Sequence, residues 1–240
     1  MRTILSIAAA LIFYLSPAQS QISKSFPVKA NEQVVMKFDY PETIRVSTWE
    51  GNEIQITGTV DINNNESNQY FNIKDSKSAN SLLIEGKIKD IDKIPHRITL
   101  KNGKEKIVLQ SEEDLKKYTK ENNLKNYSVT NGASINIVLN IKIPKSVKAK
   151  IESTYGVVEL VNYNSNIDVN AIYGGIDAKI AEKITGKIMT ETQFGKVYSN
   201  LDAPLSGKDL DNFQTFLTAT PGSGPQYNLE SKYGNIYLRK

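Results

Sequence analysis

Apolar and polar residues alternate with a period of two over most of the chain, the pattern of half-buried β-strands. Val34-Val35-Met36-Lys37-Phe38 and Ile44-Arg45-Val46-Ser47-Thr48-Trp49 predict two strands, separated by a turn at Tyr40-Pro41. Ile54-Gln55-Ile56-Thr57-Gly58-Thr59-Val60 predicts a third. From Ala133 the alternation resumes in Ile135-Asn136-Ile137-Val138-Leu139-Asn140-Ile141-Lys142-Ile143, and Pro144 marks its end.

Beyond Pro144 the pattern repeats. Ser153-Thr154-Tyr155-Gly156, Ala171-Ile172-Tyr173-Gly174, Thr192-Gln193-Phe194-Gly195 and Ser231-Lys232-Tyr233-Gly234 superimpose, with glycines 18, 21 and 39 residues apart. A period near 20 residues of β-type sequence is that of one coil of a β-solenoid. The 39-residue gap predicts a further coil that has lost its signature, with Phe213-Gln214 as its remnant. Before each aromatic residue, the columns Ser153/Ala171/Thr192/Ser231, Ile151/Val169/Thr190/Leu229 and Ala149/Ile167/Ile188/Tyr227 fall on one face of a strand. After each glycine come Val158, Ile176, Val197 and Ile236. The aromatic-to-apolar step is three residues, so the alternation slips by one at the glycine. A corner there, with glycine supplying φ > 0, keeps both arms facing inward. Tyr155, Tyr173, Phe194 and Tyr233 then form an aromatic ladder beside the corners Gly156, Gly174, Gly195 and Gly234. Such a ladder reads either as a sugar-stacking platform or as core packing. Continued alternation turns the rings inward, which favours packing.

The predicted architecture is therefore all-β: a single-stranded parallel β-helix, or β-solenoid, with a small inserted hairpin and helix. Residues 21–60 supply the first coils and 133–240 the rest, in one structural domain. Trp49-Glu50-Gly51-Asn52 reads as the corner of the first coil, one residue longer than the others, with Trp49 either capping the core or touching a ligand. Residues 61–132 read as an insertion that opens on a polar stretch with Asn63-Asn64-Asn65. Asn102-Gly103 predicts a hairpin turn within it. Ser111-Glu112-Glu113-Asp114 predicts a helix start, running to about Asn123. With only Leu115, Tyr118 and Leu124 as apolar residues, that helix is a candidate cap for one end of the solenoid.

Composition narrows the chemistry. The 240 residues include no cysteine, so disulfides, thiolate nucleophiles, Cys-ligated zinc and a lipidated cysteine are excluded. His96 is the single histidine, which excludes His-rich metal sites; as a lone base after Pro95 it reads as a solvated loop residue. Glu152, Asn170, Glu191 and Glu230 form an outward column four residues before each glycine. Adjacent carboxylates there need a lysine or a hard cation between them, and the degenerate coil is expected to separate Glu191 from Glu230. An enzyme acting on polysaccharide would draw on Glu152, Asp168, Asp177 and Glu191, which no cluster of basic residues accompanies. No catalytic, cofactor or metal residue is assigned, and the expectation is a non-enzyme. A formal net charge of +4 is too mild to predict a nucleic-acid partner.

At the N-terminus, Met1-Arg2-Thr3 and the apolar run from Ile4 to Leu15, followed by Ala18-Gln19-Ser20, predict a signal peptide cut after Ser20. The run is too short to span a membrane, which takes about 20 apolar residues. The predicted product is exported to the periplasm or the cell surface.

Ile141-Lys142-Ile143-Pro144-Lys145-Ser146-Val147, then Ser153-Thr154-Tyr155-Gly156-Val157-Val158 and the repeated corners, resemble the bacterial putative-adhesin β-helix family. The 38–56 region is similar to members from Bacteroidetes-type bacteria. The resemblance spans roughly 34–60 and 133–240 and leaves out 61–132. It implies a β-helix-like fold at the cell envelope and an adhesive or scaffolding role, and it brings no catalytic residues. Two partner classes follow: an envelope protein or glycan bound on a rigid face, and a second copy met through the solenoid ends.

Overall fold

A computed structural model describes residues 20–210 and 213–240. The segment read as a signal peptide lies, apart from Ser20, outside the described residues. Ser20 itself opens the first strand, opposite Val60.

The molecule is all-β, with one α-helix among the described residues. The first sheet has eight strands. Their spatial order is β1 (Ser20–Pro27), β4 (Glu53–Ile62), β10 (Ile135–Pro144), β3 (Thr43–Trp49), β12 (Val157–Leu160), β14 (Ile176–Lys179), β20 (Ile236–Arg239) and β16 (Val197–Ser199). The second has nine: β17 (Ser206–Leu210), β18 (Gln214–Ala219), β15 (Ile188–Thr192), β19 (Tyr227–Ser231), β13 (Ile167–Ala171), β11 (Ala149–Ser153), β2 (Gln33–Phe38), β6 (Ser81–Ile88) and β5 (Phe71–Lys77). A small third sheet is β8 (Glu105–Leu109), β7 (Arg97–Asn102) and β9 (Ser128–Gly132).

The inward residues of the two large sheets make one core. Val34, Met36 and Phe38 of β2 meet Ala149, Ile151 and Ser153 of β11 in parallel register, and all six are buried. On the facing sheet Ile44 and Val46 register with Val158 and Leu160, which register in turn with Ile176 and Ala178. The period-two columns read from the sequence are thus the buried face of each sheet.

The sheets are mixed, which departs from a single-stranded parallel β-helix. Parallel pairing holds from β6 through β2, β11, β13 and β19 to β15. β1 on β4, β4 on β10, β5 on β6, and β18 on both β15 and β17 are antiparallel. The stacking order also departs from chain order. The last unit, β19 and β20, lies between the second unit (β13, β14) and the third (β15, β16). Among the described residues no further coil occupies the gap before it: β17 and β18 form an antiparallel hairpin on the edge of β15, with Phe213 on its turn. Sequence spacing counts residues between units, and a unit that inserts between two earlier ones leaves the same spacing.

The 61–132 segment divides. β5 and β6 extend the second sheet beyond β2, whereas β7, β8 and β9 form the separate sheet. Gly103 has φ 60° in the turn between β7 and β8, as the Asn-Gly pair predicts. Helix α1 (Glu112–Glu121) begins at Ser111, whose Oγ accepts the Asp114 amide. It packs on β7 and β8 and does not cap an end of the large sheets, because its apolar stripe of Leu115 and Tyr118 serves the small sheet.

Candidate functional site

Each corner is built the same way. The strand of the second sheet ends on a buried small residue, and the chain then leaves the extended conformation for three residues, or four in the last three corners, before the first sheet begins. The small residues do more than save space. Ser231 Oγ accepts the Gly234 amide at 3.0 Å and donates to Gly174 O at 2.9 Å. Thr192 Oγ1 accepts the Gly195 amide at 3.0 Å and donates to Gly234 O at 3.1 Å. Ser153 Oγ donates to Tyr155 O at 2.6 Å. The hydroxyl closes its own corner, and in two units also ties it to the neighbour. Three hydroxyls in a column of four small residues are the sequence signal for this role, and smallness alone does not express it.

Close approach explains the glycines. Of the four corner glycines only Gly156 has a left-handed backbone, with φ 81°. A methyl built on Gly174 would run into Gly156 O, one on Gly234 into Gly174 O, and one on Gly195 into Gly234 O. The corners stack backbone on backbone in the spatial order 156, 174, 234, 195, and a Cβ has no room.

This geometry turns the aromatic residues outward, against the inward orientation that simple alternation predicts. Two successive residues, such as Lys232 and Tyr233, both face solvent because the corner is not extended. Tyr155 and Tyr233 are 45% exposed, Phe194 55% and Tyr173 56%. Their rings stack in a continuous ladder: Tyr155 on Tyr173 at 5.2 Å, Tyr173 on Tyr233 at 5.1 Å, and Tyr233 on Phe194 at 5.1 Å, with interplanar angles of 16°, 3° and 10°. Tyr40 continues the ladder 5.5 Å beyond Tyr155, and Phe213 closes its other end against Phe194 at 6.0 Å. Backbone amides fix the rungs. Tyr155 N donates to Asp39 O, Tyr173 N to Thr154 O, Tyr233 N to Ile172 O and Phe194 N to Lys232 O, at 2.9 to 3.1 Å.

Tyr40 is a rung that the repeat pattern does not reveal. Phe38 registers with Ser153, so β2 and β3 form a further, N-terminal unit whose corner is Tyr40-Pro41 and not Trp49-Gly51. It lacks a glycine and is one residue longer, which hides it. The step of two from Phe38 to Tyr40, equal to that from Ser153 to Tyr155, is the signal that could have found it. Partial burial, the Tyr155 ring and the carboxylates of Asp39 and Asp92 push the Tyr40 phenol above the usual tyrosine range. Trp49 sits at the far end of β3, half-buried, folded over Gly51, with its indole N–H donating to Glu53 O at 3.0 Å. It takes no part in the ladder.

The ridge has an apolar flank and little charge. Val157 and Ile172 are exposed beside it. Lys232 Nζ lies 5.4 Å from the centroid of the Tyr233 ring. Asp39, at the Tyr40 end, accepts from Thr154 Oγ1.

The remaining candidates lie apart from the ridge. Glu152 is bridged by Lys37 at 3.0 Å and Lys150 at 2.7 Å. Burial pushes its carboxyl up, but the two ammonium groups outweigh that and hold it below the usual value. Glu230 and Glu191 are direct neighbours across β19 and β15, contrary to the expected separation. Asn170 donates to Glu230 at 3.3 Å and Gln214 to Glu191 at 2.5 Å. Asp168 pairs with Lys148, and Asp177 pairs with Arg239 on the other sheet, so the four candidate acids do not converge on one groove. His96 is exposed on the loop before β7. Among the described residues no group of three His, Asp or Glu side chains is placed to hold a metal ion. A groove of about 480 Å³ on the second sheet is lined by Lys145, Lys148 and Lys150, each already paired with a carboxylate. Among the described residues no helix is long and apolar enough to cross a membrane.

No family model matches the chain, and no curated protein does. A solved structure called a "putative cell adhesion protein", from Clostridium sporogenes, is 11% identical over 92% of this chain and 99% of its own, with a TM-score of 0.49. A "putative adhesin" from Bacteroides fragilis is 12% identical over 92% and 98%, with a TM-score of 0.23.

Proposed function

We propose that this chain is an exported, adhesin-like binding module of the cell envelope, with no catalytic role, and that the aromatic ridge is its binding surface. In this reading the five strand–corner–strand units, β2 and β3 among them, are a solenoid interrupted by the β17–β18 hairpin, and their stacking serves to hold the ridge straight. The observation that carries the reading is the ladder itself. Among the described residues, seven of the twelve exposed large apolar side chains lie on or beside it: Tyr155, Val157, Ile172, Tyr173, Phe194, Phe213 and Tyr233. A contiguous exposed strip of this kind marks an interaction site more often than scattered apolar residues do. Rigid aromatic rungs also lose little conformational entropy when a partner docks.

The test is co-sedimentation of the purified protein with cell-envelope material, comparing the native chain with Tyr173→Ser/Phe194→Ser. Loss of binding in a variant that keeps the native β-sheet circular dichroism supports the reading. Binding that survives the double substitution refutes it.

A further inference from the structure

From Tyr155 to Phe194 the rungs of the ridge face one another, so ring faces are turned to ring faces and ring edges point outward. That excludes the usual sugar platform, in which a sugar lies flat on an open aromatic face. What the ridge presents instead is a row of phenol hydroxyls on a fixed repeat. Tyr155, Tyr173 and Tyr233 follow one another at 5.2 and 5.1 Å. Among the described residues none is a hydrogen-bond partner of these three hydroxyls, and each can both donate and accept.

From this row we infer the ligand class: an extended, uncharged β-1,4-linked polysaccharide lying along the ridge, one sugar per rung. The inference rests on the ridge being the binding surface. Three observations select this ligand. First, one sugar of an extended β-1,4-linked chain advances it by nearly the rung spacing, so hydroxyl meets hydroxyl at successive rungs without accumulated drift. An α-1,4-linked chain of the same sugar coils and loses register. Second, the charge suits a neutral polymer. Thr154, Ile172 and Gln193 beside the rungs are uncharged, Asp39 at the Tyr40 end is acidic, and the flanking Lys232 and Lys196 are too few to neutralise a polyanion. Third, the ridge is open at its sides, and its rungs are held by backbone hydrogen bonds. A long chain can therefore lie across it, and the protein loses little entropy in ordering the site.

Isothermal titration calorimetry of the native protein with cello-oligosaccharides and chito-oligosaccharides of two to seven sugars, against malto-oligosaccharides, tests this. Affinity is expected to rise with each sugar up to four, the number of tyrosine rungs from Tyr40 to Tyr233, and then to level off. Malto-oligosaccharides are expected not to bind. Tyr173→Phe keeps the ring and removes only the hydroxyl, and it is expected to weaken the pentasaccharide about fivefold; the triple change at 155, 173 and 233 is expected to weaken it roughly a hundredfold. Equal binding of both linkage types, no dependence on length, or full affinity in the triple variant overturns the inference. If no oligosaccharide binds while envelope co-sedimentation still depends on Tyr173 and Phe194, the ligand class is wrong and the binding ridge stands. If neither assay depends on the ridge, both are wrong.

Discussion

Gly174→Ala tests the stacking of the corners most sharply. A methyl on Gly174 would lie 1.4 Å from Gly156 O and 2.4 Å from its carbonyl carbon. Both atoms are backbone, so no rotamer relieves the clash. Real contacts of this kind stay above 3.0 Å, so the two corners must separate by about 1.6 Å. Three hydrogen bonds cross that boundary: Ile172 N to Ser153 O and Tyr173 N to Thr154 O at 2.9 Å, and Val158 N to Gly175 O at 3.0 Å. None survives such a shift at useful length. At about 1 kcal/mol each they account for about 3 kcal/mol. Weakening the Tyr155–Tyr173 stack adds about 1 kcal/mol, for a destabilisation of about 4 kcal/mol. Gly103→Ala is the control. Gly103 has φ 60° and open space around its missing side chain, so alanine there costs only the left-handed strain, about 1 kcal/mol. Urea unfolding followed by Trp49 fluorescence measures both. A Gly174→Ala midpoint no lower than that of Gly103→Ala refutes the backbone-contact explanation of the glycine column.

Three further outcomes follow from the same structure. Ser231→Ala removes a buried hydroxyl that serves Gly234 N and Gly174 O at once, and its expected cost of about 2 kcal/mol is read from the urea midpoint, an unchanged midpoint contradicting it. Tyr227→Phe removes the bond from the buried Tyr227 hydroxyl to Tyr163 O, 2.5 Å long, for an expected loss of about 1–3 kcal/mol. Burial pushes the phenols of both Tyr163 and Tyr227 up, so ultraviolet titration of that variant should lack one late-ionising tyrosine. Glu32 is buried, and the Lys29 amide at 2.9 Å, with Lys77 Nζ at 3.4 Å, holds its carboxyl below the ordinary glutamate value despite that burial. Its contribution is complete above that ordinary value and is lost as the pH falls through the lowered one. Stability will therefore fall on the acid side more steeply in the native chain than in Glu32→Gln, and parallel acid limbs would show that Glu32 is not the group responsible.

Strands and corners are legible in the sequence because burial on one face of a sheet imposes a period of two, and stacking imposes common columns. Ala149, Ile151 and Ser153 align with Ile167, Val169 and Ala171 on residue type and spacing alone, and they pair in that register. The start of α1 at Ser111 is legible for a similar reason, since capping is local. Orientation at the corner is not. Counting parity through Tyr155 assumes an extended chain, and the chain stops being extended one residue after Ser153. Spatial order is not legible either. Nothing local to Tyr227–Ser231 says that it pairs with both β13 and β15, because identical columns fit every neighbour equally well. The glycines mark corners in the sequence but suggest the wrong cause for most of them, since contact with the next backbone is invisible in one strand's own residues.

The central claim is that partner recognition runs along the aromatic ridge. Saturation-transfer NMR addresses it directly: cell-envelope material is irradiated while aromatic signals of the protein are observed. The account predicts attenuation concentrated on Tyr155, Tyr173, Tyr233 and Phe194, with Trp49 and Tyr127 unaffected. Attenuation centred on Trp49 or on the small sheet, with the ladder rings unchanged, contradicts it.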